Sequence, residues 1–101
     1  MVRHVMLWKV KKEYTAEERS RAILGVKESL EALAGKIPGL LSIRVETETL
    51  PSSNADLMLD STFESREALA GYQSHPDHVA AANGFVSPHM ETRLCLDFEE
   101  N

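Results

Sequence analysis

The chain opens on Val2-Arg3-His4-Val5-Met6-Leu7-Trp8-Lys9-Val10, a run rich in β-branched and large apolar side chains that predicts a strand. Val2, His4, Met6, Trp8 and Val10 share one parity, and Arg3, Val5, Leu7 and Lys9 the other. Both faces are partly apolar, so both call for cover. Thr15 with Glu18 three residues on has the spacing of a capping box, in which each side chain satisfies the other's free backbone N–H. Beyond it Ile23, Val26, Leu30 and Leu33 recur at steps of three and four, an apolar stripe on a helix that turns Lys27, Glu28 and Glu31 to water and stops at Gly35 and Pro38. Leu41, Ile43 and Val45 alternate with Ser42, Arg44 and Glu46, which predicts a second strand with one buried face. The Pro-Ser-Ser-Asn stretch inside residues 50–55 is a loop. Leu57, Leu59, Ser61 and Phe63 then alternate with Met58, Asp60 and Thr62 in a third strand. Ser65 caps a second helix that carries Leu69 and Tyr72 and breaks near Ser74; Pro76 suits the first position of a restart through Val79 to Ala82. Leu94, Leu96 and Phe98 alternate with Arg93, Cys95 and Asp97 in a last strand.

Strand, helix, strand, strand, helix, strand is the βαββαβ order. With right-handed crossovers it folds into an α+β, ferredoxin-like domain, a four-stranded antiparallel sheet with both helices on one face. Nothing in the chain remains to cover the other face. If Met6, Trp8 and Met58 or their neighbours lie there, the exposed patch needs a partner surface, and a second copy of the chain supplies it most economically. The expectation is a homodimer whose two sheets face each other as a dimeric α+β barrel. The mixed parity of the first strand leaves open which side chains point to the helices.

Composition sharpens this picture. A chain of 101 residues suits a single domain over 1–101, with 43% hydrophobic and 27% charged residues as in globular proteins. The net charge of −5 argues against nucleic acid as a partner, since phosphate binding is driven by clustered Lys and Arg. No apolar run approaches the ~20 residues that span a bilayer, and the first residues lack a secretory pattern, so a soluble cytoplasmic protein without membrane partners is expected. The one cysteine, Cys95, suits a reducing compartment and reads as a core or barrel-wall residue.

Val2-Arg3-His4-Val5-Met6-Leu7, the turn Ile37-Pro38-Gly39-Leu40, Thr62-Phe63-Glu64-Ser65 and above all Tyr72-Gln73-Ser74-His75-Pro76-Asp77-His78-Val79 resemble the stress-responsive A/B barrel (Dabb) domain family. Arg93-Leu94 and Asp97-Phe98-Glu99 are similar to that family's ending. The resemblance spans essentially the whole chain and implies a dimeric α+β barrel. Its members include plant stress proteins, bacterial proteins without an assigned role, and a plant polyketide cyclase that closes a linear polyketide by aldol condensation. In that cyclase a tyrosine works with the second histidine of the His-Pro-x-His motif, near a histidine of the first strand. The resemblance places those roles on Tyr72, His78 and His4.

The residues themselves allow the same chemistry. Histidine moves protons near neutral pH, and a phenol can donate a hydrogen bond to a developing oxyanion, so His78 and Tyr72 are the candidate catalytic pair. His4, His75, Trp8 and Met6 are the candidate ligand-binding side chains. The bland alternative is that His75 caps the restarted helix, His78 donates to a backbone carbonyl and Tyr72 packs in the core. His75, Asp77, His78 and His89 also invite a metal reading, but the proline splays the first two rings and no second ligand pair follows, so no metal is expected. Asp60 reads as a solvent-facing edge residue. With no Gly-rich phosphate loop, nucleophile elbow or paired carboxylates, no cofactor is expected either. The resulting expectation is a homodimer that binds a small apolar or aromatic molecule in its barrel cavity; the alternative is a cofactor-independent, cyclase-like or lyase-type enzyme using His78 and Tyr72.

Overall fold

The computed structural model describes all 101 residues of the sequence. Its elements run β1 (Val2–Val10), α1 (Ala16–Glu31), β2 (Leu40–Glu46), β3 (Leu57–Phe63), α2 (Arg66–Ser74), α3 (Pro76–Ala81) and β4 (Met90–Glu99). All pairings are antiparallel, and the spatial order is β2-β3-β1-β4. This is the ferredoxin-like sheet that the element order predicts, with the helices on one face.

Local chemistry fixes where the elements begin. The capping box forms as spaced: the Glu18 N–H donates to Thr15 Oγ1 at 3.1 Å and the Thr15 N–H to Glu18 Oε1 at 2.8 Å. Asp56, just ahead of β3, accepts the Val10 N–H at 2.8 Å and both arms of the Arg19 fork at 3.2 and 2.6 Å, tying the end of β1 to the start of α1. Gly39 sits at φ +80°, where a Cβ would lie 2.4 Å from Ala68 Cβ; the turn into β2 therefore needs glycine both for its backbone and for its approach to α2.

Between sheet and helices lies one core. Val26 and Leu30 of α1 and Leu69 and Tyr72 of α2 pack on Trp8, Val45, Leu57, Leu59 and Phe63, all buried. Met6 and Trp8 point to this helix side, not to the open face considered for them. The reason is the register: Val2, His4, Trp8 and Val10 are all buried, so their parity faces the helices. Leu7, Leu94, Leu96 and Phe98 carry the open face instead, at 36, 62, 63 and 40% exposure. Leu7 lies opposite Leu94, and Val5 opposite Leu96, on adjacent strands, so these side chains form one patch. Met58, opposite Leu7 on β3, lies on this open face as expected, and the remainder is mostly polar, with Arg3 paired to Asp60 and Arg44 to Glu46. Asp60 is thus half-buried in an ion pair on an inner strand rather than free at an edge.

Three details differ from the pattern of the sequence. β2 carries a register shift between Leu40 and Ser42, which turns Leu41 outward. Ala82–Val86 forms a π-helical turn and Ser87–His89 a 3₁₀ turn, and β4 begins at Met90. No helix is long and apolar enough to cross a membrane.

Candidate functional site

β1 delivers His4, Met6 and Trp8 to the helix side because alternate residues of a strand share a face. β4 pairs with β1 so that Asp97 faces His4, Cys95 faces Met6 and Arg93 faces Trp8. α2 brings Tyr72, and the His75-Pro76 break between α2 and α3 turns the chain so that His78 comes back over Tyr72. Apart from the break itself and Asp97, which lies beyond His4 at the cavity's margin, these residues wall a cavity of about 270 Å³, closed from the helix side by Leu30 and Val86. It lies between sheet and helices within one protomer, not between two sheets. A wider, shallower groove of about 590 Å³ runs outside α1 between Leu24 and Phe85. Its Glu18 is engaged in the capping box and its Tyr14 hydroxyl bonds His89 Nδ1 at 2.7 Å, so its phenol and imidazole are bound to each other.

The Tyr72 and His78 rings lie 4.2 Å apart between centroids, tilted by 38°. Tyr72 also meets the edges of Phe63 and His4, at 4.9 and 6.1 Å. Its hydroxyl is buried and has no hydrogen-bond partner, and the same holds for Trp8 Nε1. Two donors orphaned at one cavity are unusual, because an unmade buried hydrogen bond costs about 1–3 kcal/mol. Burial pushes the Tyr72 phenol well above its ordinary value, so it stays an O–H donor. His78 donates from Nδ1 to the Gln73 carbonyl at 3.3 Å, which leaves the lone pair on Nε2. Burial is the main cause that lowers its pKa, helped by His4 and His75 and opposed by the Gln73 bond; the ring is neutral at pH 7.

His4 is buried, and its Nδ1 bonds the Asp97 carboxylate. Cys95 Sγ lies 3.7 Å from His4 Nδ1 and 3.5 Å from Asp97 Oδ1. Burial first, then the Asp97 charge, pushes the Cys95 thiol up, so it is protonated at neutral pH.

His75 is placed elsewhere. It caps α3, its Nδ1 accepting the Asp77 N–H at 3.1 Å, and it borders a shallow hollow beside Gly39 rather than the cavity. His89 is bound to Tyr14, so the histidines of the His75, Asp77, His78 and His89 set do not converge. The structure brings together His4, Met6, Trp8, Tyr72 and His78, and adds Arg93, Cys95 and Asp97, none of which the sequence marked as a site residue; Cys95, expected in the core or barrel wall, is exposed on the outer strand and borders the cavity. One signal was present: Arg93, Cys95 and Asp97 form the polar parity of an otherwise apolar strand.

The family model described as the stress responsive A/B barrel domain matches residues 2–100. A dimeric, ferredoxin-like protein of unknown function from Bacteroides fragilis is 31% identical, with a TM-score of 0.91 over 98% of this chain and 95% of that one. An Arabidopsis thaliana protein is 25% identical, with a TM-score of 0.74 over 100% of this chain and 96% of its own. The hydroxynitrile lyase of Passiflora edulis shares the fold at 19% identity, with a TM-score of 0.73 over 99% of this chain and 93% of that one. No curated protein matches this chain.

Proposed function

We propose a function from one premise: the chain belongs to the stress responsive A/B barrel domain family. The protein is a homodimer joined through the open sheet faces, and each protomer binds a small, largely apolar or aromatic molecule bearing a hydrogen-bond acceptor. The dimer is supported by the apolar patch of Leu7, Leu94, Leu96 and Phe98 and by the dimeric state of the Bacteroides fragilis relative. The ligand reading rests above all on the Tyr72 hydroxyl, buried and unpartnered at the wall of a cavity. A carbonyl or carboxylate oxygen would satisfy it; Trp8, which also lines the cavity, carries a second buried N–H without a partner. At about 270 Å³ the space is slightly below the range for drug-sized ligands, which points to about one ring with short substituents.

A second reading is favoured by the neutral His78. With Nδ1 bound to Gln73, its Nε2 is free to take a proton from a carbon beside a carbonyl, while Tyr72 donates to the enolate oxygen as charge develops there. That would be cofactor-independent proton transfer of the lyase or cyclase type.

Trp8 is the only tryptophan, so its emission reports occupancy of the cavity. Titration with small aryl methyl ketones should quench it saturably. Tyr72→Phe should weaken binding about fivefold, for one hydrogen bond of about 1 kcal/mol, and should leave the melting temperature unchanged or higher because an unpaired hydroxyl is gone. Equal binding by Tyr72→Phe, or a loss of several degrees, would remove the basis for the ligand. For turnover, NMR would follow deuterium entering the ketone's α-carbon in D₂O. His78→Ala should slow that exchange at least about 100-fold, the usual contribution of a general base; exchange equal to solvent in the wild type would leave binding alone.

A further inference from the structure

Beside the Tyr72–His78 pair, three donors of a different kind gather at the margin of the cavity, two of them, His4 and Cys95, in its wall. His4 lies on β1, and Cys95 and Asp97 lie two residues apart on β4, directly across the ladder from Met6 and His4. Their alternation puts all three side chains on the helix side, and all three donor atoms lie within 4.8 Å of one another. No loop is involved; the spacing is set by backbone pairing in the sheet.

The separations suit one metal ion. In a tetrahedral zinc site the bond lengths place a thiolate about 3.5 Å from an imidazole nitrogen or a carboxylate oxygen. Cys95 Sγ already lies 3.7 Å from His4 Nδ1 and 3.5 Å from Asp97 Oδ1. Only the His4–Asp97 edge must widen, to about 3.3 Å, as two metal bonds replace the hydrogen bond between them. The exposed Asp97 carboxylate has the freedom to make that adjustment.

We propose that His4, Cys95 and Asp97 form a three-ligand site for a thiophilic divalent cation, zinc foremost. A thiolate with an imidazole selects zinc or a similarly soft ion over magnesium or calcium, which take oxygen ligands. Three protein ligands leave a fourth position for water or another small donor, the arrangement of an open rather than a closed zinc site. Because His4 and Cys95 both line the cavity, that position borders the space assigned to the ligand. The site does not depend on the Tyr72–His78 reading, and its test does not read turnover.

The test uses the full chain, stripped with chelator and titrated with Co²⁺. The expected result is one cobalt per chain, a thiolate-to-cobalt charge-transfer band in the near ultraviolet, and displacement of that band by Zn²⁺. Cys95→Ser should abolish the band, and Asp97→Asn should weaken cobalt binding at least tenfold. Both side chains are exposed enough that these variants fold, which substitution of the buried His4 would not guarantee. Absence of the band at saturating cobalt, its persistence in Cys95→Ser, or its loss only in His78→Ala would each overturn the assignment.

Discussion

Removing the Leu96 side chain tests how two copies meet. Full burial of a leucine is worth about 1.5–3 kcal/mol. Leu96 is 63% exposed in the protomer, so most of that gain is still to be made when a partner covers it. Alanine retains part of it, which leaves a loss of about 1 kcal/mol per copy and, since a two-fold interface counts each residue twice, about 2 kcal/mol per dimer. The dimer dissociation constant should rise about 30-fold in Leu96→Ala. Leu96→Glu should go further, because it sets a charge against apolar Val5 and Leu94 and brings two like charges to one interface. Sedimentation equilibrium across a concentration series measures both, with the far-ultraviolet circular dichroism unchanged because the β1–β4 ladder does not use this side chain. Leu50→Ala is the control: it is 73% exposed but lies in the loop before β3, off the sheet face, and should leave the constant alone. A Leu96→Glu variant that still dimerises with wild-type affinity would refute the proposed face.

Two further outcomes follow from single residues. Gly39→Ala meets both a positive φ and a Cβ 2.4 Å from Ala68, and should cost about 2–4 kcal/mol, about 8 °C or more in melting temperature for a domain of this size, read by thermal circular dichroism; a shift under about 3 °C would mean that the turn relaxes freely. On acidification, melting temperature should fall in two stages. His78 is lowered from 6.5, chiefly by burial, so the unfolded chain binds its proton first and stability drops as pH passes below 6.5; Asp56 is lowered from 3.8, chiefly by Arg19, so its stabilisation is present above that value and is lost as pH falls through its folded pKa. His78→Gln should erase the first stage only, and a melting temperature that rises between pH 6.5 and 5 would contradict the burial assigned to His78.

Much of the fold was legible because spacing and backbone chemistry act locally. Thr15 with Glu18, Ser65 ahead of α2 and Pro76 at the restart each state a helix start within four residues, and the element order then leaves few topologies. What stayed hidden needs register or packing. Val2 to Val10 is apolar on both parities, so Met6 and Trp8 could be set on the helix side only once His4 was seen buried opposite Asp97. The π-helical turn at Ala82–Val86 has no local signal, being a local departure from α-helix geometry after α3. In the site, the Tyr72 and His78 spacing was visible in the motif, whereas Asp97 and Cys95 became neighbours of His4 only through pairing across more than 90 residues.

The sheet also separates assembly from chemistry along a single strand. On β4, Leu94, Leu96 and Phe98 point to the open face, while Arg93, Cys95 and Asp97 point to the cavity side. On β1, Val5 and Leu7 lie behind Met6 and Trp8 in the same way. A dimer formed on the open face therefore buries one parity of β1 and β4 and holds both strands flat behind the other. Such a contact would support the backbone that spaces His4 from Cys95 without placing a side chain of this face in the cavity. Association and occupancy should then be coupled through rigidity alone: Leu96 variants that dissociate would retain every group that touches a ligand and lose only the support behind it. In the proposed dimer the same edge strand, exposed in the protomer, would be covered on one parity and left facing the cavity on the other.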